Sequence, residues 1–138
     1  MTAFNTAVLP AKERIVSATL YVKLLSNQGN PLTTHGRLIA DIRKPWFGST
    51  VLLSKEDFQS APNRAGVGTA VAKGNGWYAI PLSNTAFQWL NYAGTTQLKL
   101  RFINSTDGDN RADIASFASG SNPVVANRPR LDIVYATP

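Results

Sequence analysis

A chain of 138 residues is the size of one domain, and such a domain buries about two thirds of its unfolded surface, so it needs no staple to have a core. The absence of cysteine excludes disulfide scaffolds, thiol catalysis and thiolate zinc sites. The net charge of +6 suggests acidic partners, but the fourteen Lys and Arg residues are scattered, never more than two in succession, which argues for solubility and against specific nucleic-acid binding.

In chain order, the opening MTAFNTAVLPAKERIV holds no long apolar run, so no export signal is visible. No later segment approaches the roughly 20 apolar residues of a membrane helix, and no membrane insertion is expected. SATLYVKLL sets Ala18, Leu20, Val22 and Leu24 against Ser17, Thr19, Tyr21 and Lys23. RLIADIR sets Leu38, Ala40 and Ile42 against Arg37, Asp41 and Arg43. This period of two predicts antiparallel strands with one buried and one wet face. KEDFQS offers a turn of helix. VGTAVAK and GWYAIPL read as weaker strands bounded by glycine, with Pro81 at an edge or a strand end. SNTAFQWLNYAG breaks the alternation: Ser83 or Asn84 can cap, Ala86, Phe87 and Leu90 recur at helical spacing, and Gly94 stops the run. One short helix is therefore predicted near residues 84–92, lying across one end of the sheets. Alternation returns in QLKLRFI and RLDIVYA. Strands parted by Gly, Pro, Asn and Ser turns predict an all-β fold, a two-sheet antiparallel sandwich of jelly-roll type, as a single domain over residues 1–138.

Half of the six aspartates fall in NSTDGDNRADIASFASG. Asp107, Asp109 and Asn110 could offer oxygens to a structural Ca2+, with Asp113 closing the site from the start of the next strand. Asp, Asn and Gly are also the best turn formers, and Arg111 or Arg101 could neutralise one carboxylate, so plain turn chemistry stands beside the metal. The spacing is not that of an EF-hand, which needs a glutamate at the twelfth position. A glycosidase-like pair such as Asp113 with Asp57 is conceivable, but solvated, mutually repelling aspartates are poorly prepared for a raised pKa. The single histidine, His35 in TTHGR, reads as a turn or surface residue, and no G-x-S-x-G elbow is present. No enzyme is expected.

The aromatic pairs Trp46-Phe47 and Trp77-Tyr78, with Trp89 and Tyr92, could stack sugar rings or bases, or could serve packing alone. Trp46, after Pro45 in a loop, is the best candidate for exposure. Arg43, Lys44 and Trp46 together could recognise an anionic sugar, the cations meeting a carboxylate while the ring stacks.

Read together, FNTAVLP…IVSATLYVKL, TTHGRLIADIRKPWFG, GWYAIPL, LNYAGTTQLKLRF, DGDNRADIASFASG and NRPRLDIVY resemble the bacterial extracellular β-sandwich modules called DNRLRE-like domains, akin to some alginate-type carbohydrate-binding modules. The resemblance runs from about Phe4 to Tyr135. It implies a non-catalytic jelly-roll-like module on secreted or cell-surface proteins. It also implies a strand leading into FNTAVLP, with Met1 falling where that strand would be under way. An incomplete strand there would leave an unpaired edge, and such edges are templates for strand addition. The leading expectation is a structural or adhesive surface module that pairs with itself or another surface protein through its N-terminal edge. The alternative is a carbohydrate-binding module for an anionic polysaccharide.

Overall fold

In the computed structural model, which describes residues 1–10 and 14–136, the alternating segments become antiparallel strands. The described strands are β1 (Thr2–Asn5), β2 (Arg14–Gln28), β3 (Leu38–Arg43), β4 (Arg64–Thr69), β5 (Val71–Gly74), β6 (Trp77–Pro81), β7 (Thr95–Phe102), β8 (Ile114–Phe117) and β9 (Arg130–Ala136). They form a four-stranded sheet in the order β1-β7-β3-β4 and a five-stranded sheet in the order β5-β6-β2-β8, with β9 also on β2. The long β2 takes β6 along one edge; on the other, β9 pairs with its first half and β8 with its second. The chain crosses repeatedly between the sheets, the wrapped connectivity behind the jelly-roll expectation.

The faces that meet carry the residues singled out by alternation. Ala18, Leu20 and Val22 of β2 and Ile80 of β6 pack on Ala40 and Ile42 of β3 and Leu98 of β7. Each fully buried Leu, Ile or Val contributes about 1.5–3 kcal/mol relative to exposure. Residues 84–89 form a helix of the 3-10 type, and Ala86 and Leu90 are buried in the same core. This helix stops at Leu90, which is already extended. The next residue, Asn91, is committed to the start of β7 through Thr95 O (3.0 Å) and the Thr96 hydroxyl (2.9 Å). KEDF is likewise a 3-10 turn.

Three features depart from the alternation. VGTAVAK is two strands: the chain changes sheets at Ala70, so β4 ends in one sheet and β5 begins in the other. The strand expected to lead into FNTAVLP is present as β1, which runs into its first two residues and pairs Thr2–Asn5 with Leu98–Thr95 of β7. And β3 is buried on both faces, Ile39 and Asp41 included. Asp41 is closed over by the Gly66 N–H and Arg101, while the segment 44–63 covers the neighbouring β7 on the outer face of the four-stranded sheet. Phe47, fully buried, donates its N–H to Gln97 Oε1 (2.9 Å); Gln97 Nε2 donates to Val51 O (3.1 Å). Lys99 Nζ donates to the carbonyls of Phe58 (3.2 Å) and Ser60 (3.0 Å) and lies 4.6 Å from the Phe47 ring centroid. No helix among the described residues is long and apolar enough to cross a membrane.

Candidate functional site

Where β2 ends, Gly29 and Asn30 both take left-handed φ values (70° and 57°) and turn the chain into a single helical turn, Pro31–Thr34, with proline at its start. His35 closes this turn: its N–H donates to Pro31 O (2.9 Å), and its carbonyl accepts from Asn104 N beyond β7 (3.1 Å). These bonds hold the imidazole against Phe102, with 5.9 Å between ring centroids. Its Nδ1 lies 2.8 Å from the Thr34 hydroxyl, and that hydroxyl donates to Asn30 O (3.3 Å). A hydroxyl that gives its proton to a carbonyl accepts from Nδ1–H. With Thr34 donating to Asn30 O, Nδ1 carries the proton and Nε2 the lone pair, the tautomer that a metal ligand needs.

That lone pair faces Asp113. The residue immediately precedes β8, and its carboxylate rests on Gly29: a Cβ at Gly29 would lie 1.8 Å from Asp113 Oδ1. Asp113 Oδ2 is 3.6 Å from His35 Nε2, with the two side chains only 7% and 9% exposed. Among the described residues no donor hydrogen-bonds this carboxylate. Asp107 joins from the loop, so that one ligand atom from each of His35, Asp107 and Asp113 lies within 4.8 Å of the other two.

Of the residues predicted for a metal, Asp107, Asp109 and Asp113 line one open hollow, and Asp107 and Asp113 also stand within ligand distance of His35. Asp107 Oδ1 accepts Asp109 N–H (3.1 Å), Asp109 Oδ1 accepts Arg111 N–H (2.8 Å), and Asn110 takes φ 60°. These are side chain–backbone turns in an exposed loop. Arg101 does not neutralise the loop; it forms a two-pronged ion pair with the buried Asp41, at 2.8 and 3.3 Å. Asp57 sits in the covering segment, where it accepts from the Ser54 N–H (2.9 Å) and hydroxyl (3.2 Å). His35, expected at the surface, is buried. The signal for it in the sequence is slight: Asn-Pro and then His-Gly bracket a short turn between two strands, which marks the turn but not its neighbour on β8.

Arg43, Lys44 and Trp46 are adjacent, and Arg43 and Lys44 donate within the chain. Arg43 Nε donates to Trp46 O (3.1 Å) and Nη1 to Ala61 O, which ties both ends of the covering segment to β3. Lys44 Nζ donates to Gln88 O (2.9 Å) and lies 5.7 Å from the Trp89 ring centroid. Trp46, expected to be exposed, is half-buried beside the covering segment it helps to turn.

The side of the sandwich beyond β1 is more open. A groove of about 320 Å³ runs between the sheets there, lined by Met1, Val22, Leu38, Phe102, Ala115 and Phe117 among others. Burial in this groove lowers the pKa of the Met1 amino group. A second hollow of about 260 Å³ lies further along the same side, between Phe4 and Ile133. β1 covers β7 only as far as Leu98, so the backbone of Leu100–Phe102 has no strand on that side among the described residues. No family model, no curated protein and no solved structure matches this chain.

Proposed function

We propose that this chain is a non-catalytic extracellular module that works by assembly, accepting an extended edge strand of a second copy beside its N-terminal strand. The observation that carries it is the half-covered β7. A strand laid in line with β1 would satisfy the backbone groups of Leu100–Phe102 and place alternate side chains in the groove. Edge strands are usually guarded by charge. Here β4, β5 and β9 carry Arg64, Lys73, and Arg130 with Asp132, whereas β1 (TAFN) and β8 (IASF), which flank the groove, carry none. A groove that is largely apolar, flanked by two strands without charged side chains, suits a like edge better than it suits a polysaccharide. The non-catalytic character is supported by the engagement of two carboxylates, Asp41 by Arg101 and Asp57 by Ser54. The extracellular placement rests on the resemblance to secreted modules.

Sedimentation velocity and electron microscopy over a concentration series test the reading. Oligomers or filaments are expected, and Ala3→Lys on β1 or Ala115→Lys in the groove should abolish them while the melting temperature moves by only a few degrees. A native protein that stays monomeric throughout, or variants that assemble as well as the native chain, would overturn it.

A further inference from the structure

We propose that His35, Asp107 and Asp113 form a binding site for a divalent transition-metal cation of the zinc class, with His35 Nε2 and one oxygen of each aspartate as ligands. His35 Nε2 and Asp113 Oδ2 face each other from two largely buried side chains. Asp113 presents Oδ2, and the Thr34 hydroxyl supports the tautomer in which His35 Nε2 presents a lone pair. The Asp113 side chain is only 7% exposed, and no donor among the described residues hydrogen-bonds its carboxylate. A proton fits poorly: a charge-assisted N–H···O bond is about 2.7–2.9 Å long, and the separation is 3.6 Å. A metal fits well. Two ligands at roughly 2.0–2.1 Å from a tetrahedral zinc stand about 3.3–3.4 Å apart.

The surroundings agree. Metal-bound imidazoles characteristically donate their other N–H to an oxygen, as Nδ1 does to Thr34. Asp113 is fixed by its seat on Gly29, whose missing side chain makes room for the carboxylate. Asp107 lies in an exposed loop and needs only a small displacement, since its ligand atom is already within 4.8 Å of the others. The remaining coordination position opens towards solvent beside Gln28, Thr34, Asp109 and Arg111. An imidazole with two carboxylates selects zinc-like metals, whereas calcium seeks six to eight oxygens. Bound there, the ion would tie the turn after β2 to the loop after β7 and to the start of β8. This inference does not depend on strand addition, and the two can fail separately.

The test uses the full untagged chain stripped with EDTA, with Zn2+, Co2+ and Ca2+ added alone. Saturating Zn2+ should raise the melting temperature by several degrees, on the order expected when a ligand binds only the folded state. Co2+ should give the visible absorption of a tetrahedral site. His35→Gln and Asp113→Asn should each weaken Co2+ binding at least tenfold. Asp107→Ala, on an exposed loop that tolerates it, should also weaken binding while leaving the metal-stripped protein's melting temperature unchanged. The proposal is overturned by any of three results: neither a melting shift with Zn2+ nor a Co2+ band, a Ca2+ shift as large as that of Zn2+, or wild-type affinity in both His35→Gln and Asp107→Ala.

Discussion

At Gly29 a side chain and a carboxylate would compete for one volume. The backbone there is left-handed, and a Cβ would fall 1.8 Å from Asp113 Oδ1 and 2.9 Å from Ala112 O. Gly108 is also left-handed (φ 79°) but has nothing within 4 Å of its Cβ position. The pair separates backbone cost from crowding. Gly108→Ala should cost about 1–2 kcal/mol for the left-handed conformation alone. Gly29→Ala should cost at least about 1 kcal/mol more, read from urea midpoints, because Asp113 must leave its seat. In an Asp113→Ala background that excess should largely vanish, a coupling that marks the two residues as direct neighbours. Equal costs at the two glycines would mean that Asp113 does not rest on Gly29. Asp113 was legible in the sequence, as a carboxylate at a strand start where a turn does not require one. His35 was not, because what buries it is the return of Phe102–Asn104 from a distant strand, and no local pattern encodes that approach.

Elements were legible where one face met the core and the other met water. β2 and β9 follow from period two for that reason. The sequence misled where the wet face was covered: Asp41 and Lys99 read as solvent-facing, yet both are buried, Lys99 bonded to the segment 44–63 and Asp41 to Gly66 and Arg101. The strand 67–73 misled differently, since alternation cannot reveal that Ala70 carries the chain from one sheet to the other. The covering segment has a measurable consequence at Lys99. Burial pushes the Lys99 ammonium below its ordinary value, and Arg101 adds to the lowering while Asp41 opposes it. Between the folded value and the ordinary value of about 10.4 the unfolded chain binds more protons, so stability contributed through this residue rises with pH in that window. Below the folded value the cost of the buried charge is present in full. Urea midpoints measured near pH 7 and near pH 10 should therefore show the native protein gaining stability relative to Lys99→Met as pH rises. A gap that stays constant would mean that Lys99 remains charged and well solvated beneath the segment.

For the whole molecule, the same +6 charge makes opposite demands on the two modes of binding that the sequence allowed. Two copies that approach to share a strand repel one another, and that repulsion reaches about 10 Å at 0.1 M salt but only about 3 Å at 1 M. An anionic polysaccharide is attracted by the same cations, and salt weakens that attraction. Charge alone therefore separates the readings without knowledge of the ligand. If edge-strand addition is the working mode, the assembled fraction in sedimentation should grow as salt rises from about 0.05 to about 0.5 M, because the apolar contact in the groove persists while repulsion is screened. If a polyanion is the partner, retardation in an alginate or pectin gel should fall over the same range, and Trp46→Ala should reduce it at low salt. Arg43 and Lys44 already spend their donors on Trp46, Ala61 and Gln88 carbonyls, so removing either should loosen the covering segment as well as any sugar contact. Assembly that dissolves on adding salt would reverse the conclusion, since it would mean that copies are bridged by an acidic third component and not joined by backbone pairing along β7.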